Sequence, residues 1–562
     1  ILTKPNEPMK ISVNFPSMNL IANVEYISKI IDFLKIKEDV IRSNVEEKKE
    51  ISSATKLQLK SAIESRKEID LQIHVDTTKL ILPYKEIEKN IIPSIELTID
   101  SIDAKSIKGK PFNIEDFSTL YNNYLVNVND IEISLNKRKV VKSIDLVSNV
   151  QIAIASSDLF QFLIASIEST PISATITTNQ LLLIMQMKNF IEDMVLSLNS
   201  TPKNLSYSPE KSITVKIPNL ELNISYDDIP FYKIYTPNEI DINVNMKNQI
   251  VNLTVLTDEI KGYEYIVGGD LFNAKRNGRI QVNGTISKES INLDVYLGNI
   301  NFFAKSKAIN YLFLFAKLPS KYDVLLKLTN ESQFQKLKYA KSIKENSTPA
   351  NITIHIDDSV AYGIFNNQEF AKAFINSISI NVNVEGEDDF NANITINDAY
   401  LKTNMMGKWE TFLHNNSPLQ LRITPVSVKA NINNIEAVLF PQYLITILKF
   451  VKELKDLHLG IDGNPDLMSH MAFNITASKI KGKLLYLIDA DDFIDLNLEN
   501  LNFYTIKSPT VHKIDISNIS LSHKNNQIFY LDAIYFDVLF DFLIKKEEDL
   551  IFNKIFETKT LK

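Results

Sequence analysis

The chain has 562 residues, 61 Lys plus Arg against 68 Asp plus Glu, and a formal net charge of −7. Hydrophobic residues make up 44% and charged residues 23%, a folding composition that disfavours a generic nucleic-acid binder, which needs a basic face. Only 13 glycines occur, no phosphate-cradling glycine motif is present, and there is no cysteine. Nucleotide enzymes of the Rossmann and P-loop kinds are thereby strongly disfavoured, and a disulfide framework, a Cys-based zinc site and a cysteine nucleophile are excluded.

The chain starts at Ile1 and is read as a piece of a longer protein. From there, two-residue alternation dominates, writing one oily and one wet face on each strand. It runs through Ile11-Val13-Phe15, Leu71-Ile73-Val75, Ile131-Ile133-Leu135 and Ile152-Ile154. It continues in Ile213-Val215-Ile217, Leu220-Leu222-Ile224-Tyr226, Ile242-Val244-Met246 and Val251-Leu253-Val255. The second half repeats it in Ile291-Leu293-Val295-Leu297, Ile352-Ile354-Ile356, Ile378-Ile380-Val382-Val384, Leu419-Leu421-Ile423, Ile494-Leu496-Leu498 and Ile534-Phe536-Val538-Phe540. The intervening Asn, Asp, Lys, Thr and Ser suit an antiparallel sheet solvated on one side.

Helical spacing is confined to Tyr26–Lys37, Asp158–Ile167 with Gln180–Leu198, Ile309–Lys317 and Gln442–Leu457. These stretches recur at a regular distance with roughly five strands between them, so a stacked unit is expected. The expected organisation is one elongated body over 1–562, with three to four repeats. Joints are expected near 26–60, 158–200, 305–350 and 436–470. The charged stretch Lys37–Glu50 reads as a loop.

Little in the sequence carries chemistry. Seven histidines are scattered without H-x-x-x-H spacing, so no metal site is expected. Asp489, Asp491, Asp492 and Asp495 lack the glycine of a calcium loop and run into a strand. No G-x-S-x-G elbow occurs, so no catalytic residues, metal or cofactor are assigned, and the chain is read as not an enzyme. Sequons at Asn223, Asn252, Asn351, Asn393 and Asn474 sit within strands and read as chance in an Asn-rich chain.

A one-sided oily sheet must hide that face. Glycine is too scarce for a sandwich rich in tight turns, and the helices are too few to cover so many strands. A long sheet has to curl or split. A curled one encloses a uniform apolar trough, for which lipid tails are the fitting occupant. The candidate trough residues are Ile131, Ile133, Leu135, Ile152, Ile154, Ile213 and Val215, then Leu222, Ile224, Val251, Leu253, Val255, Leu293 and Val295. Ile380, Val382, Val384, Leu421, Ile423, Leu496 and Leu498 complete the set.

Glu64–Tyr84 (ESRKEIDLQIHVDTTKLILPY) resembles the recurring segment of chorein-type bridge-like lipid transfer proteins, the vacuolar-protein-sorting-thirteen family, closing on Pro83. Asp130–Asn136 and Ile152–Ile167 are similar to strand-then-helix joints of that family. Asn404–Leu413 resembles its Trp-Glu segment at Trp409 and Glu410, with Thr411 where proline is expected. The resemblance implies a repeating β-groove at membrane contact sites, cytoplasmic and peripheral, passing glycerophospholipids between membranes without a cofactor. Membranes would be reached through parts of the parent outside this piece, adaptors would be unidentified proteins, and no nucleic acid is a partner. The expected fold is thus mainly β: a continuous twisted antiparallel sheet curled into an elongated hydrophobic groove, with a few crossing or rim helices. Two rival readings are a secreted or surface β-domain array for adhesion and a polysaccharide-acting β-solenoid enzyme.

Overall fold

A computed structural model describes residues 9–21, 69–83, 94–108, 121–153, 162–177, 210–305, 349–440, 472–485, 493–539 and 557–561. Within these, 136, 178–179 and the turn positions 227–228, 248–249, 288–289, 366–367, 387–388, 406–407, 416, 425–426 and 508–509 are not described. Four isolated residues, Gln180, Ala308, Ile309 and Ile445, are described as helical. The rest of the expected helices, the loop Lys37–Glu50 and the acidic residues 489–492 lie outside the described residues.

The described chain is mainly β, and its strands belong to one continuous sheet. The sheet is mixed, a correction to the antiparallel expectation. The chain divides into two units, with the change of unit at Ile260 and between Val282 and Glu289.

The first unit opens with β1 (Met9–Phe15) and β2 (Met18–Ile21), one row broken at Pro16. It is followed by β3 (Ile69–Val75) and β4 (Thr78–Pro83), β5 (Ser94–Ile107), β6 (Tyr121–Leu135) and β7 (Arg138–Ala153). Then come β8 (Leu163–Ser169) with β9 (Ile172–Thr177), β10 (Lys211–Ile217) with β11 (Leu220–Tyr226), and β12 (Ile229–Thr236) with β13 (Ile240–Lys247). Most of β14 (Ile250–Glu264) completes it. The rows β3/β4, β5, β6, β7 and β8/β9 run antiparallel in turn. At both ends of that run the pairing is parallel: β1 on β3, β2 on β4, β8 on β10 and β9 on β11.

The second unit repeats the scheme. It holds most of β15 (Gly269–Ile286), then β16 (Ile291–Lys305), β17 (Ala350–Ile356) with β18 (Ser359–Phe365), β19 (Gln368–Gly386) and β20 (Asp389–Met405). Next are β21 (Lys408–Asn415) with β22 (Leu419–Thr424), and β23 (Ser427–Asn433) with β24 (Ile435–Leu439). The last are β25 (Ala472–Leu485), β26 (Phe493–Lys507), β27 (Thr510–His523), β28 (Asn526–Leu539) and β29 (Glu557–Leu561). Here the five rows from β17/β18 to β23/β24 alternate in direction. They are bounded by parallel pairs, β16 on β17 and β18, and β23 and β24 on β25.

Parallel neighbours need a crossover of a dozen residues or more. The intervals between the parallel partners are 22–68, 178–210, 306–349 and 440–471. The expected helix at Asp158–Ile167 is a further correction: from Leu163 the chain is β8, with Leu163, Ala165 and Ile167 facing partners on β7 and β10. The run LFQFLIASI satisfies both periodicities when read alone, and two flanking strands decide for the extended form.

Nearly every row carries a kink at mid-length. Apolar residues step by two on each side and by three across it, as in Ile99-Asp100-Ser101-Ile102, Val128-Asn129-Asp130-Ile131 and Ile396-Asn397-Asp398-Ala399. The same quartet recurs at Ile432-Asn433-Asn434-Ile435, Leu498-Glu499-Asn500-Leu501 and Ile516-Ser517-Asn518-Ile519. The extra residue returns the apolar set to the same face. Asp130, Asp398, Asn434, Lys479 and Asn518 take left-handed backbone at φ 53, 45, 54, 54 and 52. Beside the kinks, Asn side chains bond Ser across the strands: Asn129 Nδ2 to Ser101 Oγ at 2.9 Å and Asn397 Nδ2 to Ser377 Oγ at 2.9 Å.

Candidate functional site

The candidate residues become a site through register, because direct cross-strand partners share a face. In the first unit, Leu80, Leu97, Ile133, Val141, Ala174, Leu222 and Ile234 are successive partners on β4, β5, β6, β7, β9, β11 and β12. Across the kink, Val13, Ile73, Ala104, Val126, Ser148, Ile167, Val215, Ile242 and Val255 form a second row, broken only by Ser148.

The second unit carries a row of the same length with no polar break. Val295, Ile354, Ile380, Ile394, Leu421, Ala430, Ile475, Phe503 and Ile514 follow one another from β16 to β27 without a polar residue. Beside it run Leu293, Ile352, Val382, Ala392, Ile423, Val428 and Phe473.

The remaining candidates take places on these rows or next to them. Ile131 faces Ile99 and Ile144, Leu135 faces Ile95, and Ile224 faces Ile176 and Tyr232. Ile213 lies between Ala165 and Val244, and Val251, Leu253 and Val255 face Met246, Val244 and Ile242. Val384 lies between Ala350 and Phe390, while Leu496 and Leu498 face Leu521 and Ile519. Ile152 pairs with Leu163 on one side and with Asn122 on the other. Ile154 lies outside the described residues. Sequence reasoning missed Leu80, Leu97, Ala174 and Ile234, although the first two alternate visibly; alanine gives too weak a signal to be counted.

These rows are not a closed core. Every residue of the Leu80-to-Ile234 and Val295-to-Ile514 rows is partly exposed. Buried hydrophobics among the described residues are few and often alanine, such as Ala153, Ala165, Ala371, Ala392 and Ala477. Nine adjacent strands at about 4.8 Å make the Val295-to-Ile514 row about 38 Å long. With its neighbours at two-residue spacing it makes one contiguous, partly exposed apolar strip.

The opposite face carries the charges. Lys79 Nζ lies 2.7 Å from Glu96 and Lys233 Nζ 2.6 Å from Glu221. The bonded Lys233 ammonium, then the Asn223 amide, hold the Glu221 carboxyl below the ordinary carboxylate range. Asn and Thr hydrogen-bond between strands, as in Asn351 Nδ2 to Asn292 Oδ1 at 2.9 Å and Thr214 Oγ1 to Asn243 Oδ1 at 3.1 Å. The sequon amide of Asn223 likewise donates to Glu221 Oε1 at 2.8 Å.

Open depressions among the described residues lie on this polar face. One, of 590 Å³, is lined by Ser12, Asn14, His74, Asp103 and Lys105 among others. Another, of 470 Å³, lies over β20, β22, β23 and β25. His74 donates or accepts at 2.6 Å with Asp103 and at 3.1 Å with Asp76, His414 lies 3.0 Å from Asp398, and the His355 ring stacks on Tyr296 at 4.8 Å. Among the described residues, no group of three or more His, Asp or Glu is placed to hold a metal. None of their helices is long and apolar enough to cross a membrane.

No family model and no curated protein matches the chain. Among solved structures, the central domain of yeast acetyl-CoA carboxylase aligns over 69% of this chain and 61% of its own, at 9% identity and a TM-score of 0.09. The chain therefore spans less than two thirds of that neighbour, and a score this low carries no fold argument.

Proposed function

We propose that the chain holds and conducts glycerolipid acyl chains along its apolar face, as part of a bridge between organelle membranes in the cytoplasm. The observation that carries this reading is the row from Val295 to Ile514: nine strands with no polar residue, and every side chain partly exposed. Leaving apolar area in water costs about 25 cal/mol per Å². A row of this length is therefore stable when an apolar ligand covers it. Acyl chains fit because the surface is chemically uniform along its length and offers no hydrogen-bond partner that would fix one position. The polar headgroup is left to water at the open side. No reaction is needed, since transfer is diffusion of a bound chain between equivalent apolar contacts.

The resemblance of Glu64–Tyr84 and Asn404–Leu413 to bridge-like lipid transfer proteins supports the same reading. The described part of each segment lies in strands that build the sheet, β3 with β4 and β20 with β21. The test is extraction of the purified full chain with organic solvent and mass spectrometry of what is released. Co-purified glycerophospholipid, displaced by added fluorescent phospholipid, is expected. A lipid-free chain that binds no added phospholipid would overturn the reading.

A further inference from the structure

The 470 Å³ depression on the polar face combines two cations with neutral polar groups. Its polar lining is Asn393, Thr395, Gln420, Arg422, Lys429, Asn431, Asn474 and Thr476, with no carboxylate. On the same face Lys79 meets Glu96 and Lys233 meets Glu221. Here Arg422 of β22 is the direct cross-strand partner of Lys429 of β23. Like charges directly opposite one another destabilise a sheet. The pair sits on a chain whose net charge is −7, and no carboxylate lines the depression.

The guanidinium is held in place. Arg422 Nε donates to Asn391 Oδ1 at 3.0 Å, which fixes one edge of the fork and leaves the terminal nitrogens for a ligand. Asn393 flanks Arg422 and Asn474 flanks Lys429 in the same cross-strand row. Gln420 and Asn431 face each other in the next row. Two cations and a ring of amide and hydroxyl groups make a site for a compact oxyanion of high charge: a fork for two oxygens and an ammonium for a third.

We propose that this depression binds a phosphate group, with Arg422 and Lys429 as its cationic ligands. The site faces away from the apolar rows, so it stands or falls independently of lipid conduction. A phosphate can come from a soluble phosphate compound or from a phospholipid headgroup, and the two sources are separated by the probe.

The experiment uses the full chain at low ionic strength. Calorimetric titration with inorganic pyrophosphate is one arm. Sedimentation with phosphatidylcholine vesicles, with and without a phosphatidylinositol phosphate, is the other. Saturable binding in at least one arm is expected, weakened tenfold or more by Arg422→Gln and by Lys429→Gln, and by added salt. Pyrophosphate binding without selective sedimentation assigns a soluble source; selective sedimentation assigns a headgroup. Melting of the free variants at or above the wild-type temperature is also expected, since each removes the repulsion, and it shows that lost binding is not lost folding. No saturable binding in either arm, or binding unchanged in a folded Arg422→Gln, Lys429→Gln double variant, overturns the proposal.

Discussion

Asn434 holds the break between β23 and β24 at φ 54, and its N–H donates to Ser478 O at 3.0 Å. Left-handed backbone costs an L-residue about 1–2 kcal/mol, less for asparagine and most for a β-branched side chain. Asn434→Val is therefore expected to lose about 1–2 kcal/mol in urea unfolding, while Asn434→Gly stays near wild type. Equal losses in both would show that the side chain, and not the backbone, matters. His74 gives a second test at this scale. Its hydrogen bond to Asp103, then that to Asp76, raises its pKa above the ordinary 6.5. Protonation is thus favoured in the folded state. The stabilisation is complete below 6.5 and is lost as pH rises through the raised value. Proton NMR should place the His74 midpoint above 6.5, and Asp103→Asn should move it down; an unmoved midpoint would assign the shift elsewhere. The kinks were written in the sequence as apolar–polar–polar–apolar quartets. A strict search for two-residue alternation stops at each of them, which is why Ile378–Val384 was legible as strand while Ala371, Ala373 and Ile375 of the same strand were not.

At the scale of elements, single strands were readable and their neighbours were not. Alternation states which face of a strand is oily, but the partner and its direction depend on residues tens of positions away. The parallel pairs were missed for that reason. Val13 and Ile73 alternate alike whether their strands run together or opposed. The turn after β14 shows what sequence alone conceals in the other direction. Glu264 is fully buried there; its Oε1 accepts from Lys305 Nζ at 2.6 Å and its Oε2 from the Val267 N–H at 2.9 Å. Lys305 Nζ also donates to Gly268 O at 3.0 Å. Removing one partner of a buried pair leaves a charge without compensation. Glu264→Ala is expected to cost about 3 kcal/mol in equilibrium unfolding, and Lys305→Met with Glu264→Met substantially less. A single variant as stable as wild type would mean that water replaces the pair.

For the whole molecule, the decisive question is whether the apolar rows are a path or a core. Val382 and Val384 are partly exposed positions of β19. On a path, Val382→Asp with Val384→Asp should cost no more than about 2 kcal/mol, against roughly 3–5 for charges forced into close packing. Transfer of fluorescent phospholipid should nevertheless fall at least tenfold, because the carboxylates stand where every acyl chain must pass. Intact folding with unchanged transfer would remove these residues from the path, and collapse of the melting transition would make the face a core. The apolar rows were foreshadowed by the alternating residues. Their continuity was not, since it depends on register across five or more strands.

The number five has a topological consequence. Rows that alternate in direction return the chain to its starting rim after an even count and leave it on the far rim after an odd one. From β3/β4 to β8/β9, and again from β17/β18 to β23/β24, the count is odd, and the next row starts in the same direction as the last one ended. A tight turn cannot make that connection. The chain has to travel the full width of the sheet, about 45 Å for rows of fourteen residues or so, before it can begin again. Long crossovers thus follow from the parallel pairing of neighbouring rows, and antiparallel rows can be added or removed without disturbing direction only in even numbers. Deleting β26 and β27 together would keep the up-and-down order, whereas deleting β26 alone would reverse every row that follows.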